Sequence, residues 1–238
     1  MDKLLVALDV ETGERAMQLA TALRGVAGGF KVGSRLFTSE GPALVRALVD
    51  AGARVFLDLK YHDIPNTVEQ AVEAAVHTGA WMINVHAAGG SAMMQAAARA
   101  ARDASTRLGR PLPLMIAVTV LTSMDQEALR AVGVERPVLD QVIALACLTQ
   151  QAGLQGVVAS PQETPAIRKA CGPDFHIVTP GIRGASAGAE RNDQSRTMGP
   201  AEAVRAGASY IVVGRPIIAA ADPRAAAEAI AHELNSIA

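Results

Sequence analysis

Short apolar runs alternate with amphipathic stretches along the chain. The runs fall at 4–8, 29–32, 55–59, 82–85, 114–118, 156–158, 176–178 and 210–213, and their length and β-rich composition are typical of strands. Most gaps between them hold stretches rich in Ala, Leu, Glu and Arg, among them 13–23, 43–51, 68–78, 91–108, 138–152 and 161–170. A strand followed by a helix, repeated along the chain, predicts a parallel sheet covered by helices.

Eight such units predict an α/β fold of the (β/α)8 or TIM-barrel type. The strands are continuously apolar, as parallel strands buried on both faces are. An open doubly wound sheet is the alternative, but the first strand lacks the Gly-x-Gly-x-x-Gly turn that binds dinucleotides. Neither a linker nor a low-complexity tract divides the sequence, so we expect residues 1–238 to form a single domain.

Composition narrows the range of partners and compartments. The formal net charge of −1 gives no support for a nucleic-acid partner or an anionic membrane. Aromatic residues make up 3% of the chain, too few for a surface that stacks single-stranded nucleic acid. No apolar run reaches transmembrane length, and we expect no signal peptide. The two cysteines, Cys147 and Cys171, imply no disulfide framework, so a reduced, cytoplasmic setting fits best.

A charged segment, 58–67, follows the third predicted strand and reads D-L-K-Y-H-D-I-P-N-T. Side chains alternate along a strand, so Asp58 and Lys60 are expected on one face, with Asp63 in the following loop. Ionised groups clustered where a buried strand stops are costly unless they are paired, which indicates a functional site. The alternative is a structural Asp58–Lys60 ion pair that fixes a turn.

Polar residues also follow other predicted strands. In a barrel, the carboxyl ends of the strands form one rim, and functional residues gather there. The candidates at this rim are Asp9, Lys31, Thr122, Gly214 and Arg215. Gly214 lets backbone N–H groups approach a phosphate closely, and Arg215 offers a forked donor. Their position after the eighth strand matches the common phosphate site of barrels.

Residues 181–196 interrupt the regular pattern, with three glycines and little apolar content. Long loops in compact domains are commonly functional lids. We expect this segment to be a mobile lid that brings Arg183 and Gln194 towards the phosphate. The alternative is a passive connector.

Taken together, these motifs resemble orotidine 5'-phosphate decarboxylase of the bacterial type. The segments that carry the resemblance are ALD at 7–9, FKVG at 30–33, the ten residues at 58–67, LTS at 121–123, PGIR at 180–183, DQ at 193–194 and VGR at 213–215. They occur in the family's order along nearly the whole chain. One departure lies in the predicted lid, where Arg183 and Gln194 are further apart than in the family pattern.

The resemblance implies decarboxylation of orotidine 5'-monophosphate (OMP) to UMP and CO2, the last step of de novo UMP biosynthesis, with neither a metal nor an organic cofactor. Lys60 would stabilise and then protonate the carbanion left at C6. Asp58 would lie near the substrate carboxylate. The implied array of alternating aspartates and lysines contains Lys31, Asp58, Lys60 and Asp63.

The resemblance also assigns substrate contacts and a partner. Asp9 and Lys31 would hold the ribose hydroxyls, and Thr122 would contact the pyrimidine. The implied phosphate ligands are Arg183, Gln194, Gly214 and Arg215. Ile64 is also implied to bind substrate. Asp63 and Thr67 would reach into the site of the neighbouring subunit, which implies a homodimer with shared active sites.

Two other functions stay open on the sequence. One is a metal-dependent sugar-phosphate decarboxylase or lyase on a related barrel, which works through a metal-stabilised enediolate. The other is a catalytically silent barrel that binds a nucleotide as a regulatory or scaffolding partner. The clustered charges argue against the silent barrel, because a binding protein has no need to assemble repelling carboxylates. Metal dependence separates the sugar-phosphate enzyme from the cofactor-free decarboxylase that the resemblance implies.

Overall fold

Eight parallel strands close into a barrel, with neighbours in sequence order. The structure is a computed structural model that describes residues 2–182 and 198–236. The strands are β1 (Leu4–Ala7), β2 (Gly29–Gly33), β3 (Val55–Tyr61), β4 (Met82–His86), β5 (Leu114–Val118), β6 (Gly156–Val158), β7 (His176–Thr179) and β8 (Tyr210–Val213). The predicted (β/α)8 barrel is confirmed, and the open doubly wound sheet is excluded because β1 pairs with β8.

Helices surround the barrel. They are α1 (Gly13–Ala22), α2 (Ser34–Asp50), α3 (Pro65–Val76), α4 (Gly90–Leu108), α5 (Gln126–Ala131), α6 (Val138–Gln151), α7 (Thr164–Cys171), α8 (Pro200–Arg205), α9 (Arg215–Ile218) and α10 (Pro223–Asn235). A single 3₁₀ turn, Ala87–Gly89, precedes α4. No helix within the described ranges combines the length and the apolar character needed to cross a membrane.

Helix α2 begins at Ser34, earlier than the predicted start at residue 43. A kink at Gly41, with a φ of 68° and a ψ of −171°, divides it, and Pro42 opens the second half. Glycine and proline are loop signals in a sequence, so the pattern revealed only the half of α2 that follows them. Helix α7 begins at Thr164 rather than at residue 161, because turns occupy the residues before it.

The barrel interior is a packed apolar core. It consists of Leu5, Ala7, Phe56, Met82, Ile116, Val178 and Val212, while the alternate positions pack outwards against the helices. Lys31 pairs in register with Ala7 and Phe56, two interior positions, and Asp58 pairs with Gly33. This register points the side chains of Lys31 and Asp58 into the barrel, at its carboxyl-terminal end.

An aromatic group closes the amino-terminal end of the barrel. Trp81, which precedes β4, contacts Tyr210 edge to face with ring centroids 5.3 Å apart. The Arg54 guanidinium lies 3.8 Å from the centroid of the Trp81 ring, and His176 contacts Tyr210 on another side. We call these four residues the aromatic plug. Ligands therefore have access from the carboxyl-terminal end.

Candidate active site

A cavity of about 480 Å³ opens at the carboxyl-terminal rim of the barrel. Its volume lies in the usual range for small-molecule sites. Polar residues on its wall are Asp9, Lys31, Asp58, Lys60, Thr122 and Arg215, and its apolar part includes Phe56, Val118, Val158, Val178 and Val212. The geometry thus brings together charged residues that lie far apart in the sequence.

Four of these side chains form a continuous chain of alternating charge. Lys31 Nζ lies 3.2 Å from Asp9 Oδ1 and 3.4 Å from Asp58 Oδ2. Lys60 Nζ donates to Asp58 Oδ1 at 2.8 Å. Asp58 is buried, so its carboxylate depends on these two ammonium groups and on hydrogen bonds for the stabilisation that water would otherwise supply. The predicted Asp58–Lys60 ion pair exists, but it is one part of a larger network.

Gly33, at the end of β2, leaves the space that the Lys31 ammonium occupies. A Cβ atom at this position would lie 3.0 Å from Lys31 Nζ and 3.6 Å from Asp9 Oδ1. Any larger residue would therefore displace the ammonium from its place between the two carboxylates.

Lys60 has an unusual backbone. Its φ is 54°, and it is the one non-glycine residue with a positive φ in the described part of the chain. The pairing of β3 with β4 shifts register between Leu57 and Tyr61, so Lys60 lies in a bulge. A left-handed lysine costs about 1–3 kcal/mol and persists only where its surroundings hold it, which is common at active sites.

Asn84, on β4, is a site residue that the sequence reasoning missed. Its fully buried amide accepts the Lys60 N–H at 2.8 Å and donates to Asp58 Oδ1 at 2.7 Å. The sequence signal is an amide within an otherwise apolar strand, two residues after Met82 and so on the same inward face.

Asp63, Ile64 and Thr67 follow β3 and are exposed, with Ile64 at 65%. The Asp63 carboxylate accepts the backbone N–H of Ile64 at 2.7 Å. None of the three belongs to the cavity wall as the described residues form it. Among the described residues the alternating charges therefore run from Asp9 to Lys60 and do not include Asp63.

The predicted phosphate ligands fall into two groups. Gly214 and Arg215 follow β8 and line the cavity. A Cβ atom on Gly214 would lie 3.4 Å from Ala7 Cβ, so this segment passes close to β1. Arg183, Gln194 and most of the predicted lid lie outside the described residues.

Two histidines meet beside the charged residues. The rings of His62 and His86 have centroids 5.3 Å apart. The pKa of His86 lies below its usual value because of burial first, then because of the nearby His62 and Lys60, while Asp58 acts in the opposite direction. His86 is therefore neutral in the folded protein at neutral pH.

This shift predicts a loss of stability in acid. Since the folded-state pKa of His86 is lowered, the unfolded chain takes up more protons as the pH falls below about 6.5, and the free energy of unfolding decreases. Urea unfolding at pH 7, 6 and 5 should show a shallower decline for His86→Gln than for the parent protein. The pKa of His176 is lowered by burial in the same direction, so part of the decline should remain.

His232→Gln is the matched control for this series, because His232 is exposed on α10. Its decline should follow that of the parent protein. Identical declines for His86→Gln and the parent would contradict the assignment of His86 as a neutral, half-buried group.

Comparison with known proteins identifies the family. The model of the orotidine 5'-phosphate decarboxylase / HUMPS family matches residues 2–230. The chain belongs to this family. The orotidine 5'-phosphate decarboxylase of Moorella thermoacetica is 58% identical over 99% of this chain and 93% of its own length. That of Syntrophotalea carbinolica is 54% identical over 98% of this chain and 94% of its own length.

Solved structures of the orotidine 5'-phosphate decarboxylase / HUMPS family share the barrel. The crystal structure of orotidine 5'-phosphate decarboxylase from Lactobacillus acidophilus matches with a TM-score of 0.86 and 38% identity, covering 98% of this chain and 99% of that chain. The enzyme from Pyrococcus horikoshii matches with a TM-score of 0.78 and 28% identity, at 98% and 99% coverage. The family resemblance drawn from the motifs is confirmed.

Proposed function

We propose that this chain decarboxylates OMP to UMP and CO2 without a cofactor, in de novo UMP biosynthesis. The observation that carries the proposal is the buried Asp58 carboxylate held between the ammonium groups of Lys31 and Lys60 at the wall of the cavity. Family membership and relatives that bear this enzyme's name support the same reaction.

Lys60 is the proposed catalytic acid. The bond between C6 of the pyrimidine and the carboxylate carbon breaks, its electron pair stays on C6, and CO2 leaves. The Lys60 ammonium stabilises the negative charge at C6, transfers a proton to it and becomes a neutral amine, which regains a proton from solvent. Lys60 is the member of the Asp58–Lys60 pair with the more exposed side chain, at 34% against 11%.

Asp58 would face the carboxylate of the substrate. Repulsion between the two carboxylates would raise the energy of the bound substrate, whereas a fixed ammonium would lower that of the transition state. Asp58 is bound by three groups of the chain itself, Lys31, Lys60 and Asn84. This arrangement favours preorganisation of Lys60 as the larger effect, because the ammonium needs no rearrangement when charge develops at C6.

The remaining cavity residues would bind the parts of the substrate that do not react. Asp9 and Lys31 suit the ribose hydroxyls, Thr122 the pyrimidine, and Gly214 with Arg215 the phosphate. Arg183 and Gln194 complete the proposed phosphate site. Binding energy from the phosphate, remote from C6, can be used to organise the reacting groups.

We further propose a cytoplasmic homodimer of single-domain chains. The exposure of Asp63, Ile64 and Thr67 beside the cavity supports a contact with a second subunit, to whose site Asp63 and Thr67 would contribute. Two free cysteines, Cys147 and Cys171, fit a reducing compartment.

The proposal is tested by following the ultraviolet absorbance of OMP with purified protein in excess EDTA. We expect full conversion to UMP, confirmed by chromatography. If OMP is left unchanged and a keto sugar phosphate is decarboxylated only when metal is present, the metal-dependent sugar-phosphate enzyme is favoured. Absence of turnover in both conditions, from folded protein that still binds UMP, would favour the silent nucleotide-binding barrel.

A further inference from the structure

We infer that Asn84 is a positioning residue that holds Lys60 in place for proton transfer to C6, an inference that rests on the proposed function. Asn84 is not itself part of the cavity wall, as the described residues form it. It acts through the two residues that it binds, Asp58 and Lys60.

The pairing of β3 with β4 is irregular at Lys60. Leu57 pairs with Ile83 and Tyr61 pairs with Val85. Between these pairs, β3 carries residues 58–60 while β4 carries Asn84 alone. The backbone of β4 therefore cannot match every polar group of the bulge. The Asn84 side chain binds one of these groups in place of the backbone, since its amide oxygen accepts the Lys60 N–H at 2.8 Å.

The Asn84 amide binds two groups at once. While its oxygen accepts from Lys60, its nitrogen donates to Asp58 Oδ1 at 2.7 Å, the same oxygen that accepts from Lys60 Nζ. Asn84 thus connects the backbone of Lys60 to the carboxylate that holds the Lys60 ammonium. One buried amide thus holds the backbone of Lys60 directly and its ammonium through Asp58.

This arrangement is buried and contains a strained backbone. Asn84 is fully buried, so water is poorly placed to replace its hydrogen bonds. Lys60 has a φ of 54°, a conformation that lysine does not favour by itself. Without the bond to its N–H group, Lys60 is expected to relax, and its ammonium to move away from the position proposed beside C6.

Asn84→Ala is the first test, with kcat, KM and the Kd for UMP as readouts. Since a misplacement of about 1 Å can cost about 100-fold in rate, we expect kcat for OMP to fall by about that factor. KM and the Kd for UMP should change by less than about threefold, because phosphate and ribose contacts lie elsewhere. A loss of packing alone would weaken UMP binding as well as lower kcat.

Met82→Leu is the matched control. Met82 is also fully buried on β4 and faces the interior one inward position before Asn84. The exchange conserves volume and hydrophobicity, so kcat should stay near that of the parent protein.

Asn84→Asp provides a second, pH-dependent readout. When protonated, the introduced carboxyl group can both donate to Asp58 and accept from the Lys60 N–H, as the amide does. When ionised, it cannot donate and it repels Asp58. The ratio of its kcat to that of the parent should therefore rise as the pH falls.

Charged or titratable neighbours of Asn84 are Asp58 and Lys60 on β3, His86 on β4 and Lys31 on β2, while β5 places Ile116 opposite. All of them are present in both proteins, so the ratio isolates the introduced group.

Parent-like kcat in Asn84→Ala would overturn the inference, as would equal losses in kcat and UMP affinity or a pH-independent ratio for Asn84→Asp. If neither variant folds, Asn84 serves folding and the inference is also overturned. These failures differ from failure of the proposed function, in which the parent protein itself leaves OMP unchanged.

Discussion

Replacing Lys60 with alanine should lower kcat for OMP by at least about 10⁴-fold, since it removes both the proton donor and the charge nearest the proposed carbanion. The protein should remain folded, because the Lys60 side chain is partly exposed and its backbone bond to Asn84 is kept. Steady-state kinetics give the loss in kcat, and calorimetric titration with UMP shows whether the site still forms. Activity within tenfold of the parent would remove Lys60 from the mechanism.

Lys60→Arg separates charge from proton transfer. Arginine keeps a positive charge beside Asp58, but its guanidinium does not give up a proton under these conditions. Its kcat should therefore lie above that of Lys60→Ala, since the charge is kept, and well below that of the parent, since the proton donor is lost. Lys169→Ala, at an exposed position late in α7, is the control for loss of a lysine and should behave as the parent.

Mixing two inactive variants should restore activity if the active sites are shared. Asp63→Ala should lower kcat/KM by at least about 100-fold, because each proposed site would lose its carboxylate from the partner. In a hybrid of Asp63→Ala with Lys60→Ala subunits, one of the two sites contains both native residues. With random assembly, the mixture should recover about a quarter of the parent's activity.

A second hybrid serves as the control. Asp58 and Lys60 belong to the same chain's cavity, where they form a 2.8 Å ion pair. A mixture of Asp58→Asn and Lys60→Ala subunits therefore leaves both sites defective and should stay inactive. Co-expression with two different affinity tags isolates each hybrid. Equal behaviour of the two hybrids would contradict shared sites, and a monomer by light scattering would contradict the homodimer.

Much of the fold could be read from the sequence because parallel barrel strands are short and continuously apolar. Three of the eight strands, β5, β6 and β8, have the predicted bounds. The first half of α2 was missed, since Gly41 and Pro42 produce a kink within the helix rather than its boundary. The bulge in β3 was also not predictable, because its register depends on β4, which is distant in the sequence.

For the candidate site, the sequence was most informative where chemistry follows a strand end. Asp9, Lys31, Asp58, Lys60 and Thr122 all line one cavity, as do Gly214 and Arg215. An amide within the apolar β4 was a local signal for Asn84, but its role comes from a cross-strand bond to a left-handed residue, and that partner is not evident from the sequence. The roles of Asp63 and Thr67 depend on a second chain, so they stay predictions.

The aromatic plug decides what the protein's intrinsic fluorescence reports. Trp81 is the single tryptophan of the chain, and it lies at the end of the barrel opposite the cavity, between Arg54 and Tyr210. Its emission therefore depends on whether the amino-terminal end of the barrel is folded. Denaturation will be visible by this signal while occupancy of the cavity will be nearly silent, so unfolding and ligand binding need separate optical probes.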